Sequence, residues 1–488
     1  MATLVARPML LHGEHAVEGK RPNVILCMAD DLGWGDVGYN GNKIIKTPHV
    51  DKMAAEGVRF DRFYASSPVC SPTRASCLTG RHPYRTGVFF ANVGVLRPEE
   101  VTIADLLKEQ GYATGHFGKW HLGTFTTTEK DANRGGDHDR PGLLNPPSKH
   151  GFDTYFSTES KVPTWDPMRV PETFKKPENR KFGWRACEES SDTKFYGTHY
   201  WTPDGKVPPD DPELRGDDSR VIMDQALPFI EEAAKSDKPF LAVIWFHTPH
   251  LPCVAGPEYA AMYKDQDFEM QQYAGCITAM DEQMGRLRGK LKELGIDENT
   301  MLFFTSDNGP EIGTPGVAGP YRDRKRSLHE GGVRVPGLMT WPRMLTSPMV
   351  SDAPVVTSDY LPTILDVLGI NAPYALDGES FLPLLQGHAF ERQNPIAFVS
   401  HDQKSVNDRQ YKLYTRGESV ELYDVLRDQG EKVNLAETMP ELVETYQKRF
   451  ADWFVDLEAS FKGKEYGPVP LTRLPQKWPG IRASESEK

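Results

Sequence analysis

The chain has 488 residues, of which 57 are basic and 69 acidic, giving a net charge of −12 at pH 7. That balance excludes a general binder of nucleic acid or other polyanions and confines any anion recognition to a local pocket. A composition of 38% hydrophobic and 26% charged residues, with no apolar run long enough to cross a bilayer, is that of a globular protein longer than one ordinary domain.

In chain order, Pro22 to Ala29 is a short apolar run predicted as a buried strand, stopping at Asp30-Asp31-Leu-Gly. Thr47 to Gly57 is predicted as a helix, with Thr47 as cap, Pro48 in the first turn and Gly57 at the end. Val101 to Gly111 follows as a helix, then Tyr112 to Phe117 as a strand that leads into Gly118-Lys119-Trp120-His121. Residues 124 to 216 are rich in Pro, Gly, Asp and Lys with scattered aromatics, and are predicted as a loop-rich insertion with little regular structure. Beyond it come a helix over 217–234, a strand over 239–246 ending at His247, a long helix over 268–294, and a strand over 300–305 ending at Asp307-Asn308. Alternating helices and apolar strands predict an α/β fold with a large mixed, mostly parallel β-sheet sandwiched by helices. The expected division is a large α/β domain over 20–390 and a smaller C-terminal α+β subdomain over 391–488 containing a short antiparallel sheet.

Cys70 opens a candidate helix with Pro72 in its first turn and Arg74 one turn further along the same face. A helix N-terminus attracts an anion, and a guanidinium matches a tetrahedral oxyanion. Four predicted strands end at polar clusters, namely Asp30-Asp31, Lys119/His121, His247 and Asp307-Asn308, and in open α/β sheets ligands bind beyond the carboxyl ends of strands. Three carboxylates and an amide form an all-oxygen set suited to a hard divalent cation, Ca²⁺ or Mg²⁺. The six cysteines (Cys27, Cys70, Cys77, Cys187, Cys253, Cys276) contain no Cys-x-x-Cys pair, and reserving Cys70 for chemistry leaves an odd number, which argues against a full disulfide framework.

Cys70-Ser71-Pro72-Thr73-Arg74, with Leu78-Thr79-Gly80-Arg81 after it, resembles the signature of the type I sulfatases of the alkaline phosphatase superfamily. So do Gly118-Lys119-Trp120-His121-Leu122-Gly123, the segment Phe246 to Pro252, and Lys325 with Glu330-Gly331-Gly332-Val333-Arg334-Val335-Pro336. The resemblance runs from about Arg21 to about Leu435 and implies a sulfuric ester hydrolase. It implies that Cys70 is oxidised by a formylglycine-generating maturation enzyme to an aldehyde, whose hydrate attacks sulfur and then expels sulfate. It places a divalent ion, usually Ca²⁺, on Asp30, Asp31, Asp307 and Asn308 with the residue at Cys70. Arg74 and Lys119 would hold the sulfuryl group, His247 with Lys325 would protonate the leaving oxygen, and His121 would take the proton in the elimination. His247 is preferred to His250 because it comes first after its strand, which leaves His250 to a structural place or the substrate cleft. The flanks of Lys325 depart from many relatives, with Arg322, Arg324 and Arg326 where glycines are common.

The expected substrate is a sulfated carbohydrate, contacted by His250, Trp165, Arg322 and Arg324. Other aromatic and basic residues of the insertion, Trp184 and Arg185 among them, serve either substrate stacking or packing. No nucleic acid or membrane partner is expected. The resemblance implies a periplasmic or secreted enzyme, although the first twenty residues show no signal-peptide h-region and a cytoplasmic location stays open. The alternatives are a phosphomonoester or phosphonate ester hydrolase of the same superfamily, or a catalytically silent glycan-binding relative.

Overall fold

The strand Asn23–Ala29 is buried at every position, so it cannot carry the alternating polar face of a half-exposed strand. Its residues divide between two cores instead. Val24, Leu26 and Met28 join one hydrophobic cluster, while Ile25, Cys27 and Ala29 join the other. This strand is central to a ten-stranded sheet in the computed structural model, which describes residues 20–172, 174, 193–466, 471–472, 474 and 476–479.

Asn23–Ala29 pairs in parallel with Phe240–Trp245 and Thr300–Ser306. Ala113–Lys119 continues the parallel run beside Phe240–Trp245. Gly337–Thr340 is antiparallel to Thr300–Ser306, which makes the sheet mixed. Helices Cys70–Thr79, Ile103–Glu109 and Tyr360–Leu368 bury their apolar residues in the first core. Pro48–Glu56, Asp218–Lys235 and Phe268–Glu293 cover the other face. The predicted α/β sandwich is therefore the observed architecture.

Local differences from the sequence reading have physical causes. Thr47 does not cap its helix; its hydroxyl is taken by Asp51 and by the Gly38 N–H. The strand predicted to end at Phe117 runs on to Lys119 through Gly118, whose φ of +98° would bring an added Cβ within 1.9 Å of the Trp245 carbonyl oxygen. The expectation of little regular structure in the insertion is corrected: Thr154–Thr158 pairs in parallel with Ala113–Lys119, and Tyr200–Thr202 and Gly205–Lys206 extend the same sheet. These strands are only two to five residues long, so a composition averaged over ninety residues hides them. Trp184, Arg185 and Cys187 lie outside the described residues.

Toward the C-terminus, four antiparallel strands, Ile396–Ser400, Gln403–Asn407, Tyr411–Arg416 and Ser419–Asp424, form the predicted small sheet. The helix Pro440–Phe461 packs on it through Tyr446, Phe450 and Leu457. A buried ion cluster ties this sheet to the short helix Glu330–Val333, with Lys412 2.9 Å from Glu330 and 3.1 Å from Glu431.

Candidate active site

Parallel pairing aligns the carboxyl ends of the central strands, and the residues just beyond those ends meet. Cys70 is the first residue of its helix, preceded by extended Val69 with no side-chain cap, and all ten helix residues are buried. The thiol is 2% exposed, and burial raises its pKa against the opposing pull of Lys119 and Lys325. A thiol so held is a poor nucleophile at neutral pH.

Arg74, one turn on, braces three strand ends. Its Nε and Nη2 donate to Asp307 Oδ2 at 3.0 and 2.6 Å, and Nη1 donates to the Lys119 carbonyl at 2.9 Å. Its guanidinium lies over the Trp245 ring, 5.1 Å from the centroid. Lys119 donates to Asp30 Oδ2 at 2.5 Å. Asp31, with a φ of +68°, accepts from Lys325 at 2.6 Å and from Asn308 Nδ2 at 2.7 Å. Its own N–H donates to Asp307 Oδ1. The eight residues Asp30, Asp31, Cys70, Arg74, Lys119, Asp307, Asn308 and Lys325 thus form one connected cluster.

Three buried carboxylates in one site oppose each other's ionisation. Asp307 is pushed up by burial and by the charge of Asp30, whereas at Asp30 the penalty of burial is overcome chiefly by Lys119 and Arg74, which hold it low. Asp30 Oδ1 and Asn308 Oδ1 are buried without a hydrogen-bond partner. Ligand atoms of Asp30, Cys70 and Asp307 lie within 4.8 Å of one another, as do those of Asp30, Asp31 and His250. Unpartnered oxygens among crowded carboxylates fit a hard divalent cation.

The histidines are sorted by their partners. His247 is fully buried, with Nδ1 2.8 Å from Asp218 Oδ2 and Nε2 2.7 Å from the Thr158 hydroxyl. Both ring nitrogens are engaged inside the protein, so the preference for His247 over His250 is corrected: His250 is the histidine at the carboxylate cluster. Its Nε2 lies 3.7 Å from Asp31 Oδ2, and its side chain is 12% exposed. Its Nδ1 lies 2.8 Å from the Leu251 carbonyl, an oxygen that can only accept, so Nδ1 carries the proton and Nε2 is the atom open to exchange. Burial, and then Lys325 and Lys119 against the pull of Asp30, hold the ring well below its usual pKa.

His121, with a φ of +58°, donates from Nε2 to the Asn92 side-chain oxygen at 2.8 Å. Its Nδ1 is buried and unpartnered, and burial with Lys119 nearby keeps the ring neutral. Lys119 and His121 were expected to share one side of an extended segment; the turn at His121, not strand alternation, sets their relation. Trp165 lays its ring on Gly256, where an added Cβ would come within 2.2 Å, and pairs its main chain with Asp217. The rest of the side chain is partly exposed. Arg322 bonds Glu421 and Tyr423, and Arg324 bonds the carbonyls of Glu311 and Thr314. Both line a cleft of about 980 Å³ that also includes Lys325.

Sequence reasoning missed Asp218, Thr158, Asn92 and Glu311. Asp218 begins a helix and reads as a capping carboxylate, and no pattern marks the other three. Glu311 stands 3.4 Å from Lys325, giving that ammonium a second carboxylate.

A mixed α/β sheet with a buried cysteine at a helix start, a carboxylate cluster and a ring of cations at its strand ends suits the binding of an anionic ester. The Sulfatase family model matches residues 22–370, and the model for the N-sulphoglucosamine sulphohydrolase C-terminal region matches residues 320–454. The chain belongs to the sulfatase family, within the alkaline phosphatase superfamily, and is a sulfuric ester hydrolase. It is 32% identical over 428 residues to the steryl-sulfatase of Rattus norvegicus, covering 78% of this chain and 73% of the relative. It is 32% identical over 403 residues to the N-acetylgalactosamine-6-sulfatase of Homo sapiens, covering 78% and 69%. The structure of Ps i-CgsB in complex with k-i-k-neocarrahexaose superposes with a TM-score of 0.75 at 27% identity, covering 89% of this chain and 93% of that one. Among the described residues, no helix is long and apolar enough to cross a membrane.

Proposed function

We propose that this enzyme hydrolyses a sulfate monoester of a saccharide, using a formylglycine made from Cys70 and a divalent cation, Ca²⁺ in preference to Mg²⁺. The observation that carries this reading is the junction of Cys70 with Asp30, Asp31, Asp307 and Asn308 at one set of strand ends, ringed by Arg74, Lys119 and Lys325. When present, the aldehyde, as its hydrate, would supply a nucleophilic hydroxyl and the cation a Lewis acid. Asp30, Asp31, Asp307 and Asn308 would hold the ion.

The protein's own groups do the rest. Arg74 is already tied to Asp307 and the Lys119 carbonyl, so its role is to fix the nucleophile's surroundings, with Lys119 and Lys325 providing positive charge for the sulfuryl oxygens. An alkoxide is a poor leaving group and needs a proton. His250 gives it from Nε2, in the part we had expected His247 to play. An anionic ester beside the ring favours the charged imidazolium over the neutral form. His121, neutral with an open Nδ1, takes the proton in the second step.

Cys70 is 2% exposed, so a maturation enzyme has to act before its helix is packed. A saccharide is preferred to a sterol because the cleft beside Lys325 is lined by charged side chains, whereas a sterol needs an apolar one. Turnover of 4-nitrophenyl sulfate, a panel of sulfated saccharides and a steryl sulfate tests the reading, together with a mass spectrum of the peptide containing Cys70. Steryl sulfate as the best substrate refutes the saccharide assignment, and an unmodified thiol in active enzyme refutes the aldehyde.

A further inference from the structure

The cleft of about 980 Å³ lies between the segment 312–329 and one face of the small C-terminal sheet, and Lys325 forms part of its wall. Its lining carries five cationic side chains, Arg322, Arg324, Lys325, Arg326 and Arg416, against the carboxylates of Asp323 and Glu421. In a chain of net charge −12, this concentrates cations locally, most of them beside carboxylates.

The backbone fans these cations apart. Asp323 and Arg326 both hold positive φ, at +61° and +75°. Lys325 turns inward to Asp31, while Arg324 and Arg326 stay on the cleft side. The Arg326 N–H bonds the Pro68 carbonyl, two residues before Cys70, so the cleft abuts the reacting position. Arg322, Arg326 and Arg416 have carboxylate partners in Glu421, Glu311 and Asp402. Arg324 is different. Main-chain carbonyls position it, at 3.1 and 3.4 Å, and among the described residues no carboxylate comes within ion-pair distance of it. A half-buried guanidinium held in place but not neutralised is suited to an external anion.

We infer that this cleft binds a second sulfate group of the same saccharide, with Arg324 and Arg416 as its recognising residues, so that the natural substrate is multiply sulfated. The inference rests on the sulfate-ester reading of the Cys70 site. It names specificity-determining residues, and no bond is made or broken in the cleft.

The test is direct binding, which does not depend on turnover. Sucrose octasulfate, inorganic sulfate and tetragalacturonate are titrated calorimetrically into the wild-type enzyme and into Arg324→Ala and Arg416→Ala. Unfolding midpoints verify that each variant is folded. Arg416 is the last residue of its strand, with a side chain 60% accessible, so its variant keeps the test open if Arg324→Ala misfolds. Sucrose octasulfate affinity is expected to fall about tenfold or more in Arg324→Ala, and to fall in Arg416→Ala, while inorganic sulfate, which reports the Cys70 site, is held equally well. Equal losses for both sulfated probes, no loss for either, or arginine-dependent binding of tetragalacturonate in preference to sucrose octasulfate overturns the inference. If inorganic sulfate does not bind the wild-type enzyme, it is the Cys70-site reading that fails instead.

Discussion

Truncating the two histidines of the segment 246–252 separates a proton donor from a structural ring. His247 is fully buried and makes two hydrogen bonds, to Asp218 at 2.8 Å and Thr158 at 2.7 Å. His247→Ala leaves one Asp218 oxygen without a partner, while Asp218 keeps its bond from the Tyr200 hydroxyl at 2.6 Å and the Thr158 hydroxyl keeps its bond to the Ser160 carbonyl at 2.6 Å. An unsatisfied buried group costs about 1–3 kcal/mol and the vacated ring volume adds to it, so the expected loss of stability is about 3–5 kcal/mol. His250 is 12% exposed and its one internal hydrogen bond is to the Leu251 carbonyl, so His250→Ala should cost about 1 kcal/mol or less. Its effect falls on rate. Losing a positioned proton donor lowers turnover about 10²–10⁴-fold when the leaving group is an alkoxide. The loss should be much smaller on 4-nitrophenyl sulfate, whose phenolate leaves without a proton. The assay is urea unfolding of both variants, with turnover of a sugar sulfate and of 4-nitrophenyl sulfate per folded enzyme. The reasoning is refuted if His250→Ala slows both substrates equally, or if His247→Ala keeps full stability and shows the substrate-dependent loss instead.

Three further predictions concern the surrounding groups. Adding Ca²⁺ at about 100 times its Kd should stabilise the protein by about 2.7 kcal/mol and chelation should reverse this; an unchanged unfolding midpoint under both conditions removes the cation from the carboxylate cluster. Arg74→Lys replaces three directed hydrogen bonds at a fully buried position with a single ammonium, so a stability loss of about 2–4 kcal/mol is expected in denaturant unfolding, and a near-native midpoint would show that the Asp307 brace is dispensable. Asp217, pushed up to about 8 by burial, binds its proton in the native state at pH values where the unfolded chain, near 3.9, has lost it. Its neutral form therefore contributes stability that is full below about pH 4 and is lost as pH rises toward 8. Asp217→Asn keeps the cap and cannot ionise, so its stability advantage should widen between pH 5 and pH 8 in urea titrations; a constant gap contradicts the assignment.

The sequence by itself determined the family and most of the residues that meet at the strand ends. Asp30-Asp31, Cys70 with Arg74, Lys119, and Asp307-Asn308 are each fixed to a strand end or a helix start by residues adjacent in the chain, and parallel pairing then brings such ends together. The tertiary structure decided what depends on distant partners. His247 and His250 are three residues apart and equally plausible as a string of letters, but Asp218 and Thr158 claim one ring and leave the other at the carboxylates. The short strands of the insertion exist because Ala113–Lys119 offers them an edge, not because their own residues demand one. Arg322 and Arg324 were visible as cations, but only the approach of the small sheet, with Glu421 and Arg416, turns them into walls of a cleft. Motifs record local chemistry along the chain, whereas the direction a side chain takes is set by whichever remote group satisfies its hydrogen bonds.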